Sequence, residues 1–169
     1  MPEKETLERA KQDEQEGKSP STQAGEFVRE EMHHVREGKH GARSTKQAIA
    51  IGLSKARRSG VKLAAPKKGR VSAQVRKKAQ RDIQKGQASG RRKPSATRSR
   101  AVSAALKREG RSAASRKSLA KQARSAARVR GPAARHEAAL KAVQTKGKTG
   151  LTQAARKAAQ TRTSHRRAA

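Results

Sequence analysis

Apolar positions follow a helical spacing most clearly between residues 20 and 63. The first stripe, at i, i+4, i+8 and i+11 with one aromatic neighbour, consists of Ala24, Val28, Met32, Val35 and Phe27. A second stripe, at i, i+4 and i+7, consists of Ile49, Leu53 and Ala56. Because residues at this spacing share one face of an α-helix, the pattern predicts two helices. Gly38 and Gly41 lie between them and predict a short turn, which makes the pair an αα-hairpin.

The second helix has clear start and stop signals. Ser44 and Gln47 fit a capping box, with Ser44 as the N-cap residue. Gly60 is placed for the left-handed residue that follows a helix, and Val61 for the apolar contact of a Schellman motif. We therefore predict a helical-hairpin mini-domain over residues 19–66.

The predicted hairpin core takes apolar residues from both helices and from the segment after them: Phe27, Val28, Met32, Val35, Ile49, Leu53, Val61 and Leu63. Gly52 lies on the inner side of the second helix, where a missing side chain permits a close helix contact. Ile51 points away from that side, so a homodimer contact through the hairpin would be expected there.

Composition limits how much of the chain can fold around such a core. Leu, Ile, Val and Phe make up about 11% of the 169 residues, and the net charge is +31. Chains with less than about 20% of these residues and a high net charge are typically disordered. We predict a mainly α fold: residues 1–18 form a charged leader, disordered or a frayed helix, and residues 67–169 form a basic low-complexity tail that is largely disordered or nascent-helical.

Helix propensity and charge repulsion oppose each other in this tail. Ala, Lys and Arg favour helix, whereas like charges at i, i+4 weaken it. The predicted nascent helices, which firm up when phosphate neutralises their charge, span 72–85, 101–109, 112–129, 133–145 and 152–161.

Charge is distributed very unevenly. Residues 1–37 carry a net charge of −4, whereas residues 38–169 hold 38 basic and three acidic residues, a net charge of +35. Such a segment binds nucleic acid through phosphate contacts and counterion release. The predicted phosphate contacts are Lys67, Lys68, Arg70, Arg76, Lys77, Lys78, Arg91, Arg92, Lys93, Arg98, Arg100, Arg124, Arg128, Arg156 and Lys157. The stretch Gly90-Arg91-Arg92-Lys93-Pro94 also has the composition of a minor-groove hook.

The aromatic content favours duplex DNA over single strands. One Phe and no Trp or Tyr leave no platform on which bases could stack. The predicted function is therefore non-enzymatic, largely sequence-independent DNA binding of a nucleoid-associated, histone-like kind, by phosphate neutralisation and duplex bridging. Two alternatives stay open: an RNA- or ribosome-associated basic protein, and an interaction protein whose hairpin docks a specific partner.

No motif predicts catalysis or cofactor binding. The stretch Gly17-Lys18-Ser19 ends like a phosphate-binding loop but lacks the glycine five residues earlier. Glu30 and His34 share a helix face at i, i+4, but the spacing of these and nearby residues matches no established zinc pattern. We therefore expect no catalytic residue, no cofactor and no metal.

The sequence also predicts a cytoplasmic protein located at the nucleoid. It has no run of 18 apolar residues and no Cys, and its first residues lack the apolar core of a secretory signal. We expect no membrane contact.

The stretch HHVREGKHGARSTKQAIAIGLSKARRSGVKL resembles a family of small, uncharacterised basic bacterial proteins. Their shared block reads KQAIAI, a small residue, LS, a charged residue and Ala. Here it runs from Lys46 to Ala56, with Gly52 as the small residue and Lys55 as the charged one. The resemblance covers about residues 20–68 and implies an α-helical mini-domain of unknown activity. The tail is similar in composition to bacterial histone-H1-like tails.

Overall fold

The computed structural model describes residues 2–88 and 95–167, which are mainly α-helical. In chain order the elements are α1 (Lys4–Gln15), α2 (Pro20–Glu37), α3 (Thr45–Arg58), α4 (Ala73–Gln87), α5 (Ala96–Lys107), a 3₁₀ turn (Ser112–Ala114) and α6 (Arg116–Arg167). Apart from an isolated bridge between Lys68 and Val71, this described part contains no β-structure. The chain divides into two compact units, residues 1–122 and 123–169.

The predicted hairpin is present as α2 and α3, which pack against each other. Ser44 caps α3, since its Oγ accepts a hydrogen bond from the Gln47 amide at 3.2 Å. The Gln47 side chain reaches back to the amide of Arg43, at 2.8 Å, and not to that of Ser44. The predicted cap is therefore confirmed, whereas the reciprocal bond of a capping box lies one residue earlier.

The predicted Schellman motif ends α3. Gly60 has a φ of +96°, and its amide donates to the Arg57 carbonyl at 3.2 Å. The Val61 amide donates to the Ala56 carbonyl, also at 3.2 Å. These two bonds satisfy carbonyl groups that the end of a helix otherwise leaves unpaired.

The eight predicted core residues all lie in two apolar clusters. Phe27, Met32 and Val35 are buried, and the other five are partly buried. The cluster near the turn is built on Met32, Val35, Ala42, Ala48, Ala113 and Ala114. The cluster at the opposite end is built on Ala10, Ala24, Phe27 and Ala56. Between the helices, a Cβ on Gly52 would lie 2.7 Å from Val28 Cα, so glycine is what allows α3 this close to α2.

The leader, residues 1–18, is predicted to be disordered or a frayed helix, and it contains a packed helix. Residues 4–15 form α1, which packs on α2 and buries Thr6 and Ala10. The Arg9 Nε donates to Glu26 Oε2 at 2.8 Å and ties the two helices together. The contact escaped prediction because small side chains, and not bulky apolar ones, form the buried face.

The helix predicted at 72–85 is α4, and it packs on α3. Ala79 is buried in this contact, and the Asp82 carboxylate accepts from Arg58 Nε at 2.6 Å and from Ser54 Oγ at 2.7 Å. Gly86 passes so close to α3 that a Cβ there would collide with the Arg57 carbonyl oxygen. This part of the predicted tail is therefore held by tertiary contacts.

Residues 106–114 complete the hairpin core near its turn. Ala113 and Ala114 are buried among the apolar residues of α2 and α3. Thr45 Oγ1 donates to the Ala113 carbonyl at 2.6 Å, and the Gly41 amide donates to the Leu106 carbonyl at 2.8 Å. Of the two states predicted for this part of the tail, disordered or nascent-helical, disorder is wrong, because the region supplies apolar surface and carbonyl acceptors that the hairpin alone lacks.

The unit of residues 123–169 is also helical and not disordered. It contains most of α6, which is interrupted at Gly131 (φ 77°) and Gly147 (φ 62°), the second of which falls in the predicted break between 145 and 152. None of its described side chains is buried. Of the two states predicted for the tail, helix is therefore correct and disorder is wrong, because the high helix propensity of Ala, Lys and Arg outweighs the repulsion between like charges.

A buried ion-pair cluster joins α2 to α3. The side chains of Glu30 and Glu31 are each 1% exposed, and Lys55 Nζ lies 2.9 Å from Glu30 Oε1 and 2.8 Å from Glu31 Oε2. Burial disfavours the charge on Lys55, but its contacts with the two carboxylates outweigh burial and raise its pKa. One ammonium group is therefore shared by two carboxylates in the interior.

Candidate nucleic-acid interface

Twelve of the fifteen predicted phosphate contacts lie in the part of the chain that the structure describes. Arg76 is partly buried, and the other eleven are exposed: Lys67, Lys68, Arg70, Lys77, Lys78, Arg98, Arg100, Arg124, Arg128, Arg156 and Lys157. None of the twelve forms an ion pair with a carboxylate of the described residues. Arg91, Arg92 and Lys93, together with the Gly90–Pro94 stretch, lie outside the described residues. Whether any of these residues contacts phosphate stays a prediction.

Helix α4 has one face buried against α3 and one face exposed. Ala79 and Asp82 are buried, whereas Lys77, Lys78 and Arg81 are exposed. The Arg58–Asp82 ion pair holds this helix on α3, so its cations are carried by a fixed element of the first unit. A positioned row of cations loses less side-chain and backbone freedom on binding than the same residues on an unfolded chain.

The cations of the second unit stand on a helix with alanine between them. Arg124 and Arg128 are exposed and four residues apart, and so lie on one face of α6. Like charges at this spacing repel and weaken a helix. A bound polyanion would remove this cost.

The first unit also contains an arginine-lined depression of about 450 Å³ that the sequence did not predict. It is lined by Arg36, Arg111, Ala114, Ser115 and Arg116. The Arg36 guanidinium is held in place because its Nε donates to the Ala114 carbonyl at 3.1 Å.

The same depression lies at the start of α6. Ser115 Oγ accepts from the Ser118 amide at 3.2 Å and caps this helix. Amide groups at a helix N-terminus carry partial positive charge and bind anions. Arg36 and Arg116 are far apart in the chain, and only tertiary folding brings them together, so no sequence pattern could have indicated the depression.

Two basic residues near the acidic N-terminal segment form ion pairs with carboxylates and are therefore less available to bind phosphate. Lys18 Nζ lies 2.8 Å from Asp13 Oδ1, and its contacts with Asp13 and Glu16 raise its pKa. Lys39 is paired with Glu3 and Glu37 at 3.0 and 3.1 Å. Among the described residues, cations without a carboxylate partner are therefore most numerous from residue 67 onward, where the phosphate contacts are predicted.

None of the helices in the described ranges is both long and apolar enough to span a bilayer.

Residues 19–69 match DUF6496, a family of unknown function. This stretch forms α2, α3 and the segment after them, and the match confirms an uncharacterised domain where the resemblance lies. No curated protein and no solved structure matches the chain.

Proposed function

We propose that this protein is a non-enzymatic, largely sequence-independent DNA-binding protein of a nucleoid-associated, histone-like kind. The observation that carries the proposal is the set of exposed cations on α4, α5 and α6 that have no carboxylate partner among the described residues. Each such cation can replace a condensed counterion on a phosphate, and release of those counterions drives binding without reading the sequence.

The second unit acts as a phosphate-neutralising arm. Residues 123–169 hold twelve basic residues and one acidic residue, Glu137. Alanine keeps the helix narrow between the cations, so lysine and arginine side chains reach phosphates on either side. The absence of aromatic residues from these 47 positions leaves no base-stacking surface, and favours backbone contact with a duplex.

The first unit supplies a second region that contacts DNA phosphates. Arg36, Arg111 and Arg116 line a depression whose positive charge suits a phosphate group, and α4 adds exposed cations. Arginine binds phosphate in a bidentate manner, which positions the backbone more firmly than scattered lysines do. A chain with phosphate-binding groups in both units can bridge two duplexes.

A salt series of binding to a short duplex tests the proposal. Full-length protein is compared with residues 1–122, which contain the entire first unit. Affinity of the full chain should fall roughly 10³- to 10⁵-fold between 50 and 200 mM salt if 6–10 phosphates are contacted. The shorter chain should bind more weakly and with a shallower slope, because it lacks the twelve cations of the second unit.

Matched substitutions distinguish the effect of positioned cations on duplex binding from the effect of net charge. Replacing Arg111 and Arg116 together by Ala should weaken binding of residues 1–122 more than replacing Lys4 and Lys11, two exposed cations of α1, which changes the charge equally. Equal effects would show that only net charge matters. A shallow salt dependence of the full chain would overturn the proposal.

Competition distinguishes the other candidate functions. Structured RNA that displaces the duplex at lower concentration than unlabelled duplex would identify the protein as an RNA binder. Binding of a specific protein by the first unit, with duplex affinity weak at 150 mM salt, would instead identify the hairpin as a docking module.

A further inference from the structure

We propose that Glu31, His34 and His40 form a binding site for a divalent transition metal ion, Zn²⁺ in particular. One ligand atom from each of the three side chains lies within 4.8 Å of the others. Imidazole nitrogen and carboxylate oxygen are ligands that zinc prefers, and a set of two His and one Glu is a known zinc ligand set.

The Glu31 carboxylate is the strongest sign of a missing partner. Its side chain is 1% exposed, and neither oxygen accepts a hydrogen bond of good geometry from the described residues. Oε2 lies 2.8 Å from Lys55 Nζ, which balances part of its charge, and Oε1 lies 3.1 Å from His40 Nε2. A buried carboxylate oxygen without a hydrogen bond is costly, and a metal ion at Oε1 would remove that cost.

The tautomer of His40 supports the same conclusion. Its Nδ1 lies 3.0 Å from the Gly41 carbonyl oxygen, which can only accept, so Nδ1 carries the proton. With Nδ1 as the donor, Nε2 of a neutral ring presents its lone pair to the Glu31 carboxylate, and either a proton on Nε2 or a metal ion between the two atoms makes this contact favourable. An oxygen and a nitrogen bound to one tetrahedral zinc ion are about 3.3 Å apart at normal bond lengths, close to the separation seen here.

Both imidazole rings have the outer partners that metal-binding histidines usually have. His40 uses the Gly41 carbonyl, and His34 Nε2 lies 2.8 Å from Glu3 Oε1. The Glu3 carboxylate also accepts a hydrogen bond from Lys39 Nζ at 3.0 Å, which helps to hold it beside His34. A carboxylate or carbonyl on one ring nitrogen orients the ring and leaves the other nitrogen for the metal.

The fold also holds the three residues together. Glu31 and His34 are one turn apart on α2, and Gly38, at φ 78°, reverses the chain so that His40 returns to them. The two rings lie edge to face with centroids 5.9 Å apart. Gly41 fixes the loop against residues 106–110, since a Cβ there would collide with the Glu109 carbonyl oxygen. A bound ion would therefore link the end of α2 to the turn before α3.

The surrounding charge favours a cation. Five carboxylates and four cationic side chains share the region: Glu3, Glu30, Glu31, Glu37 and Glu109 with Lys39, Lys55, Lys107 and Arg111. The local balance is negative in a chain whose net charge is +31. Three protein ligands leave one position of a tetrahedral ion for water.

Titration of chelator-treated full-length protein with zinc chloride, read by calorimetry, tests the site. We expect one ion per chain and a rise in unfolding temperature, since a ligand that binds only the folded state stabilises it. Replacing His34 or His40 by Ala should lower affinity by more than the roughly 10- to 100-fold that loss of an outer-shell partner costs. His33→Ala is the matched control, because His33 is an exposed neighbour outside the cluster. The zinc affinity of this variant should equal that of the wild-type protein.

Two outcomes would overturn the proposal. One is the absence of stoichiometric binding, and the other is an equal loss of affinity in the His33 and His40 variants, which would indicate scattered surface histidines. If the His40 variant fails to fold, wild-type protein with one equivalent of cobalt chloride decides the matter. Visible absorption bands of tetrahedral Co²⁺ support the site, and their absence removes it.

Discussion

The two units of this protein make helices for different reasons. In residues 1–122, α1, α2, α3 and α4 bury small apolar faces and charged side chains against one another. In residues 123–169 no described side chain is buried, and the helix follows from composition. A chain poor in bulky apolar residues thus builds tertiary structure where apolar stripes, close glycine contacts and ion pairs occur together. It builds only helix where alanine alternates with cations and acidic residues are scarce.

Lysine-to-methionine substitutions should give the largest difference between the two units in the free energy of unfolding. Lys55→Met removes the ammonium group shared by Glu30 and Glu31 and leaves buried negative charge, which should lower the free energy of unfolding by about 3–5 kcal/mol. Lys157→Met, on an exposed position of α6, should change it by less than about 0.5 kcal/mol. Denaturant unfolding with a chelator present checks both values. Similar effects at the two positions would contradict the contrast between the units.

A glycine pair tests the close contact of α2 and α3. Gly52→Ala places a Cβ 2.7 Å from Val28 Cα and should destabilise the first unit by about 2 kcal/mol, within the range for overpacking. Gly25→Ala is the matched control, because Gly25 also lies within a helix and a Cβ there meets nothing within 4 Å. The control should be stabilised by about 0.5–1 kcal/mol. Thermal unfolding followed by circular dichroism measures both, and a stable Gly52 variant would show that α3 has room to move.

Removing a helix cap should have a smaller effect on the free energy of unfolding, and the effect should differ between α3 and α5. Ser44→Ala removes the hydrogen bond to the Gln47 amide and should cost about 1 kcal/mol in the free energy of unfolding, because α3 is part of the packed core. Ser95→Ala removes the cap of α5, which buries no residue, and should leave the cooperative unfolding transition unchanged. A shift of that transition by the second substitution would show that α5 unfolds together with the hairpin.

The smallest expected effect concerns charge spacing in the second unit. Arg124→Glu replaces a repulsive i, i+4 pair with an attractive one to Arg128, worth about 0.2–0.5 kcal/mol of helix stability. At low salt, the helix of the Arg124→Glu variant should melt at a slightly higher temperature than that of the Arg124→Ala variant, as followed by circular dichroism. The same substitution should weaken duplex binding, because it removes one cation and adds an anion. No difference between the two variants would show that repulsion does not limit this helix.

Local signals in the sequence predicted the hairpin well. The cap at Ser44, the left-handed Gly60 and the close approach at Gly52 each depend on a residue type that suits one local geometry, and the structure confirms all three. The apolar stripes likewise predicted which faces of α2 and α3 meet. These features need only neighbours within one or two helical turns.

Contacts made by single small or charged residues could not be predicted in this way. Asp82 anchors α4, and Ala113 fills the hairpin core, but neither belongs to a periodic pattern. The proposed metal site illustrates the same limit. Spacing paired Glu30 with His34, whereas the structure directs Glu30 to Lys55 and places Glu31 beside His40.

The sequence by itself determined the helical character of the chain, the hairpin with its caps, and the accumulation of positive charge after residue 66, because propensity, local hydrogen bonding and net charge act over short distances or by simple summation. Only the tertiary structure decided that α1, α4 and residues 112–114 join the hairpin, that Arg36 meets Arg111 and Arg116, and that Glu31 faces His40. Those outcomes depend on which distant surfaces fit closely enough to exclude water, and packing of that kind leaves no periodic signal along the chain.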